Sequence, residues 1–169
     1  MNPERIYEYL VKARARVLDG TRPHAESHWQ VPFPTWAMSL GETLTHVMIC
    51  EGYYVLRMRG EEVPPYDEWP IRQEQPPDLS VLEAAWTEQA AKTRATLREV
   101  DDWHRALEYP VTDDDGSPLR IVTSPGDLFT QLFQHEVHHR SQVMNMLKQL
   151  GVAVGDVDFN ALMFERRPA

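Results

Sequence analysis

Residues 124–150 read SPGDLFTQLFQHEVHHRSQVMNMLKQL. Leu128, Leu132, His135, His139, Val143, Met146 and Leu150 follow one another there in steps of three and four, which is one face of an α-helix. Ser124 stands three residues before Asp127, a capping signature, and Pro125 occupies the first helical position, where a missing N–H costs nothing. Gly151 follows as the stop. The two histidines therefore point where a core residue should point. Their i,i+4 spacing puts two imidazoles on adjacent turns, close enough to bind one divalent metal ion. Inside a fold, neutral imidazoles need hydrogen-bond partners or a metal, so the competing reading is a pair of core histidines bonded to nearby side chains.

The same signals recur upstream. Ser39 to Glu42 and Ser80 to Glu83 repeat the serine-x-x-acid cap, and Asn2-Pro3 opens a further helix. Ile6, Leu10, Ala13 and Val17 line the first helix, and Leu40, Leu44, Val47, Tyr54 and Met58 the second. Leu82, Trp86, Ala90, Thr93, Leu97 and Val100 line the third. Gly20 and Gly60 fall where the first two should stop. The pattern predicts helices over 3–18, 39–59, 80–106 and 124–150, an all-α four-helix bundle.

Residues 61–79 hold five prolines and no periodicity, so they form a long crossover between helices two and three. Before helix four, Val111-Thr112 and Leu119 to Val122 flank Asp113-Asp114-Asp115-Gly116, which predicts a short β-hairpin turning at Asp115-Gly116. The aspartates lack the alternating ligands and late glutamate of a helix-loop-helix calcium loop, leaving a solvated turn. The tail from Val152 to Ala169 carries Phe159, Leu162, Met163 and Phe164, enough apolar surface to dock on the bundle or on a second copy.

With 169 residues, the chain has room for one sizeable core, and residues 1–169 are read as a single domain. A net charge of −9 argues against a phosphate-binding surface, which excludes nucleic acid as the first partner to consider. No apolar run approaches the ~20 residues that cross a bilayer, and Asn2-Pro3-Glu4-Arg5 reads as a helix start instead of a signal peptide, so a cytoplasmic protein is expected. Cys50 alone permits no internal disulfide. Amid Ile49, Tyr53 and Tyr54 it reads as a small buried apolar residue before it reads as a nucleophile.

Two histidines do not complete a metal site. His24, His28, His46, His104, His138 and the carboxylates are all candidates for a third ligand. His138 lies about 90 degrees round the helix from the pair and would at best orient them or a substrate. His46 shares a face with Cys50 and Tyr53, to one side of the second helix's apolar stripe, and periodicity alone does not select it.

Three stretches resemble the DinB family of four-helix-bundle metalloproteins, also known by its YfiT-like members and distinct from the DNA polymerase of the same name. Trp36 to Met48 is similar to the family's tryptophan, capping serine and helix-two histidine, and Phe133 to Gly151 to its fourth-helix signature. Asp158 to Glu165 is similar to its apolar C-terminal segment. Ser141 stands where the family commonly has glycine. The resemblance implies a divalent metal held by His46, His135 and His139. Three imidazoles suit zinc, nickel, copper and iron alike, with zinc and nickel placed first.

The leading function is then a metal-dependent enzyme acting on a small molecule, resembling the family's transferases and isomerases that use a low-molecular-weight thiol such as bacillithiol or mycothiol. A homodimer is expected from the apolar tail and the family's habit. Residues 135–139 also satisfy His-Glu-x-x-His, a zinc-protease motif in which Glu136 would activate water, so a metal-dependent hydrolase is the second reading. The third is a non-catalytic, stress-associated metal-binding protein; it requires a fourth protein ligand to close the site, and none stands out. Tyr53, Arg57 and Arg140 are candidates for substrate contact, against their ordinary role as surface or packing residues.

Overall fold

The computed structural model describes residues 2–34, 38–113 and 115–167. Trp36, the first residue of the Trp36 to Met48 resemblance, and Asp114 of the hairpin turn lie outside them. The chain is mostly helical, with one small antiparallel sheet of two strands. Four long helices, α1 (Pro3–Thr21), α3 (Leu40–Arg59), α4 (Leu79–Glu99) and α5 (Pro125–Gln149), carry the core. Short helices α2 (Ala25–His28) and α6 (Phe159–Met163) follow the first and last of these. Helix α3 packs on α4 and α5, and α1 packs on the same two. Strands β1 (Leu107–Thr112) and β2 (Pro118–Thr123) pair in register Leu107↔Thr123 through Thr112↔Pro118, and Gly116 takes the positive φ the turn needs.

The expected caps at Asn2, Ser39 and Ser124 are present; Ser39 and Glu42 form a reciprocal capping box. The others differ. Helix α4 begins at Leu79 with Asp78 as a cap that makes no side-chain bond, and Ser80 lies inside the helix. It ends at Glu99, short of residue 106, because Asp101 and Asp102 turn their carboxylates back onto the N–H groups of Asp102 and His104. Helix α1 runs through Gly20 to Thr21 instead of stopping there. A Cβ at Gly20 would meet Val154 at 3.4 Å and Leu147 at 3.5 Å, ordinary contact distances, so this glycine neither stops the helix nor is demanded by its packing.

The apolar interior divides into two clusters, one around Trp29, Leu44, Trp86 and Met146 and one around Tyr7, Leu10, Met58 and Phe129. Between them, on three of the four long helices, lies a buried polar layer of Arg14, Glu51, Glu136 and Arg140. Arg14 donates to Glu51 at 2.8 Å and to Glu136 at 2.6 Å. Glu51 also accepts from Tyr7, from Thr93 and from the Trp86 indole N–H, the last two on α4. Burial alone would lower the pKa of the Arg14 guanidinium, but Glu136 and Glu51 outweigh it and hold the charge firmly in place. The tail docks on its own chain: Phe159 packs on Tyr9 with ring centroids 5.2 Å apart, and Arg5 donates to the Met163 carbonyl. No helix among the described residues is long and apolar enough to cross a membrane.

Candidate metal centre

The buried side chains of α5 are those of Pro125, Leu128, Phe129, Leu132, Glu136, Arg140, Val143, Met146 and Leu147. His135 and His139 are half-buried at their edge, a correction to the expectation that they point into the core. The charges of Glu136 and Arg140 hide in the sequence a stripe with the same helical spacing. That rotation aims both imidazoles at the outer flank of α3, where His46 also lies to one side of the apolar stripe.

The three rings meet there. Their centroids are 4.9 Å apart for His46 and His135, 4.7 Å for His46 and His139, and 4.4 Å for His135 and His139. The Nε2 atoms of His46 and His135 are 3.0 Å apart. Gln73, on the crossover, brings its Oε1 within 2.6 Å of His46 Nδ1, and Gln142 does the same for His139 Nδ1. An amide oxygen can only accept, so each contact puts the ring proton on Nδ1 and leaves Nε2 with a lone pair. Such amides fix the orientation of metal-binding histidines in general.

Burial first, and the neighbouring His139, His46 and His138 second, push the His135 imidazole down to about 3. Burial also lowers His139, opposed by its bond to Gln142. Both rings are thus held neutral, the form that binds a metal. Cys50 joins the cluster: its Sγ lies 3.7 Å from His46 Nε2, and ligand atoms of His46, Cys50 and His135 fall within 4.8 Å of one another. Burial pushes its thiol up to about 12. No fourth ligand stands out in the sequence, although Cys50, one turn after His46, is the signal for one. Two imidazole nitrogens and a thiol, with the His139 ring packed against them, are a donor set compatible with a divalent transition metal.

The other candidates stand apart. His24 and His28 pair with each other on α2 and the turn before it, with centroids 6.1 Å apart. His104 is exposed after α4, and His138 is exposed with its ring bonded to Gln142. Glu136 is turned inward, with Oε2 at 2.6 Å and Oε1 at 3.3 Å from Arg14 nitrogens.

A cavity of about 730 Å³ opens onto the cluster and is lined by His46 and Cys50 on α3, by Tyr66 and Trp69 of the crossover, and by Pro110 and Val111 of β1. A separate groove of about 550 Å³, also bordered by Trp69, contains none of the histidines. A family model described as DinB family matches residues 1–167. No curated protein matches the chain.

Proposed function

The chain belongs to the DinB family, and from that membership we propose a divalent-metal-dependent enzyme in which His46, His135 and His139 hold the ion, zinc or nickel being the first to test. In this reading α1, α3, α4 and α5 form one four-helix bundle, with the crossover between α3 and α4, and residues 1–169 make a single domain. The observation that carries it is the 3.0 Å approach of the His46 and His135 Nε2 atoms, with Gln73 and Gln142 directing the ring protons away.

A bound divalent metal lowers the pKa of a thiol or water and so supplies a nucleophile at neutral pH. The chain's own residues supply the rest. Gln73 and Gln142 orient the imidazoles, Tyr53 and Trp69 border the space for a small molecule, and the crossover and the first hairpin strand supply its opposite wall. The reaction proposed is transfer of a low-molecular-weight thiol to an electrophile. Metallated protein should accelerate such a conjugation, His139→Ala should abolish the acceleration, and Cys50→Ala should leave most of it. Activity that survives His139→Ala and dies with Cys50→Ala would overturn the proposal.

One observation favours a second reading. The Cys50 Sγ 3.7 Å from His46 Nε2 offers a fourth ligand, and four protein ligands would close the site into a non-catalytic metal-binding centre. X-ray absorption on the loaded protein separates the two, since a sulfur ligand at ~2.3 Å from zinc belongs to the closed form. The protease-like reading loses support because Glu136, its general base, is buried against Arg14. A homodimer remains a proposal on narrower ground: α1 of the same chain uses Phe159 and Met163, leaving Phe164 59 % exposed.

A further inference from the structure

Arg57 is the cation of the cavity that opens onto His46 and Cys50. His46, Cys50, Tyr53 and Arg57 follow one another at intervals of four, three and four, one face of α3 that forms the cavity floor. The guanidinium lies over the Tyr109 ring, 4.1 Å from its centroid, and 5.2 Å from that of Tyr53. Its Nε is buried and has no hydrogen-bond partner, and no carboxylate among the described residues forms an ion pair with it. This contrasts with the buried Arg14, which is held by two glutamates. The one acidic residue lining the cavity, Glu74, is exposed and accepts from the Tyr66 hydroxyl.

A half-buried guanidinium without an anion is costly unless something supplies one, and two aromatic faces hold it in place without neutralising it. Its planar fork suits a carboxylate bound through two N–H groups. Most of the remaining wall is apolar or aromatic, with Tyr53, Tyr66, Trp69 and the prolines, and Gln73, Glu74 and Thr112 are its polar members. A volume of about 730 Å³ suits a small organic ligand, and seven residues of helix place Arg57 roughly 10 Å along α3 from Cys50.

We propose that Arg57 binds the carboxylate of a substrate with an apolar or aromatic body, whose other end reaches the His46–Cys50 end of the cavity. This rests on the metal-site reading for the chemistry at that far end, and not for the anion contact. The substrate class is thus an elongated organic acid, and Arg57 selects for its charge.

The test compares 4-phenylbutyrate with 4-phenylbutyramide, which share a body and differ in charge, by NMR titration of chelator-treated and of metal-loaded protein. The acid should bind about tenfold tighter than the amide and shift the Arg57 Nε–H resonance in both preparations. Arg57→Met should erase the preference, and Arg57→Lys, which keeps the charge without the fork, should keep part of it. Both variants should match the parent in metal content and thermal unfolding. Equal binding of acid and amide, a preference that survives Arg57→Met, or no binding of either ligand at millimolar concentration would overturn the proposal. A chain that takes up no divalent metal, yet keeps an acid preference that follows Arg57, would sink the metal-site reading and leave this one standing.

Discussion

Glu51 and Glu136 share a single guanidinium, that of Arg14, and each follows directly on a member of the candidate metal cluster, Cys50 and His135. Arg14 on α1 thereby ties α3 to α5 at the level where their imidazoles meet. Sliding either helix by one turn would drive a carboxylate into an apolar cluster, so the network fixes the register of the ligands. Arg14→Met should cost about 3–5 kcal/mol in urea unfolding, because it strands two buried carboxylates. Glu136→Gln, which keeps a hydrogen-bond acceptor, should cost less. An Arg14→Met variant as stable as the parent would show that the pairing does not hold the helices.

Gln73 reaches His46 from a segment outside the four long helices. Gln73→Ala should weaken metal binding about 10–100-fold while leaving the unfolding of the metal-free chain unchanged. Competition with a chromogenic chelator measures the first, and circular dichroism the second. Unchanged affinity would mean that the amide does not orient the ring.

Acid should act on the metal-free chain through the lowered histidines. Unfolded, His135 takes up a proton near its ordinary value of 6.5; folded, it does so only near 3. The folded state therefore binds fewer protons between these values. Stability is whole above about 6.5 and is lost progressively as pH falls towards 3. His139 adds to the loss in the same direction. Urea midpoints taken on either side of the ordinary histidine range should drop further for the parent than for His135→Gln; equal drops would refute the assignment.

Gly41 tests the packing away from the metal cluster. A Cβ there would stand 2.8 Å from the Trp29 ring and from its carbonyl oxygen. Gly41→Ala should cost about 1–3 kcal/mol by overpacking and leave metal affinity as it is. Thermal unfolding beside a metal titration checks both halves.

The oligomeric proposal is tested by sedimentation at micromolar concentration. A dimer that dissociates with Phe164→Ser would tie assembly to the exposed ring, and a clean monomer from the full chain would remove the proposal.

The long helices and the hairpin were legible because their apolar spacing and caps are local features: Ser39 with Glu42, Ser124 with Asp127, and Gly116 in the turn. The polar layer was not. Arg14, Glu51 and Glu136 each sit on an apolar track, Leu10–Arg14–Val17, Val47–Glu51–Val55 and Leu132–Glu136–Val143, but a charge there reads as a solvated face until its partner on another helix is known. For the same reason the histidines of α5 were expected in the core and lie at its edge. His46 was reached through family resemblance, since its partners are far away in sequence. Cys50 at i+4 could have been found from spacing alone.

The cavity has two kinds of wall. Its floor belongs to α3, whose buried face anchors the fold, whereas Val63, Pro64, Tyr66, Pro110 and Val111 opposite are absent from the buried core. Mutations in that second wall are nearly free of folding consequences, because its residues carry no part of the buried core. Inheritance can therefore retain the imidazoles and rewrite the lining opposite them, so a lineage built on this scaffold can change what it accepts without changing how it folds. A grafted crossover from another such lineage is the laboratory equivalent of that drift.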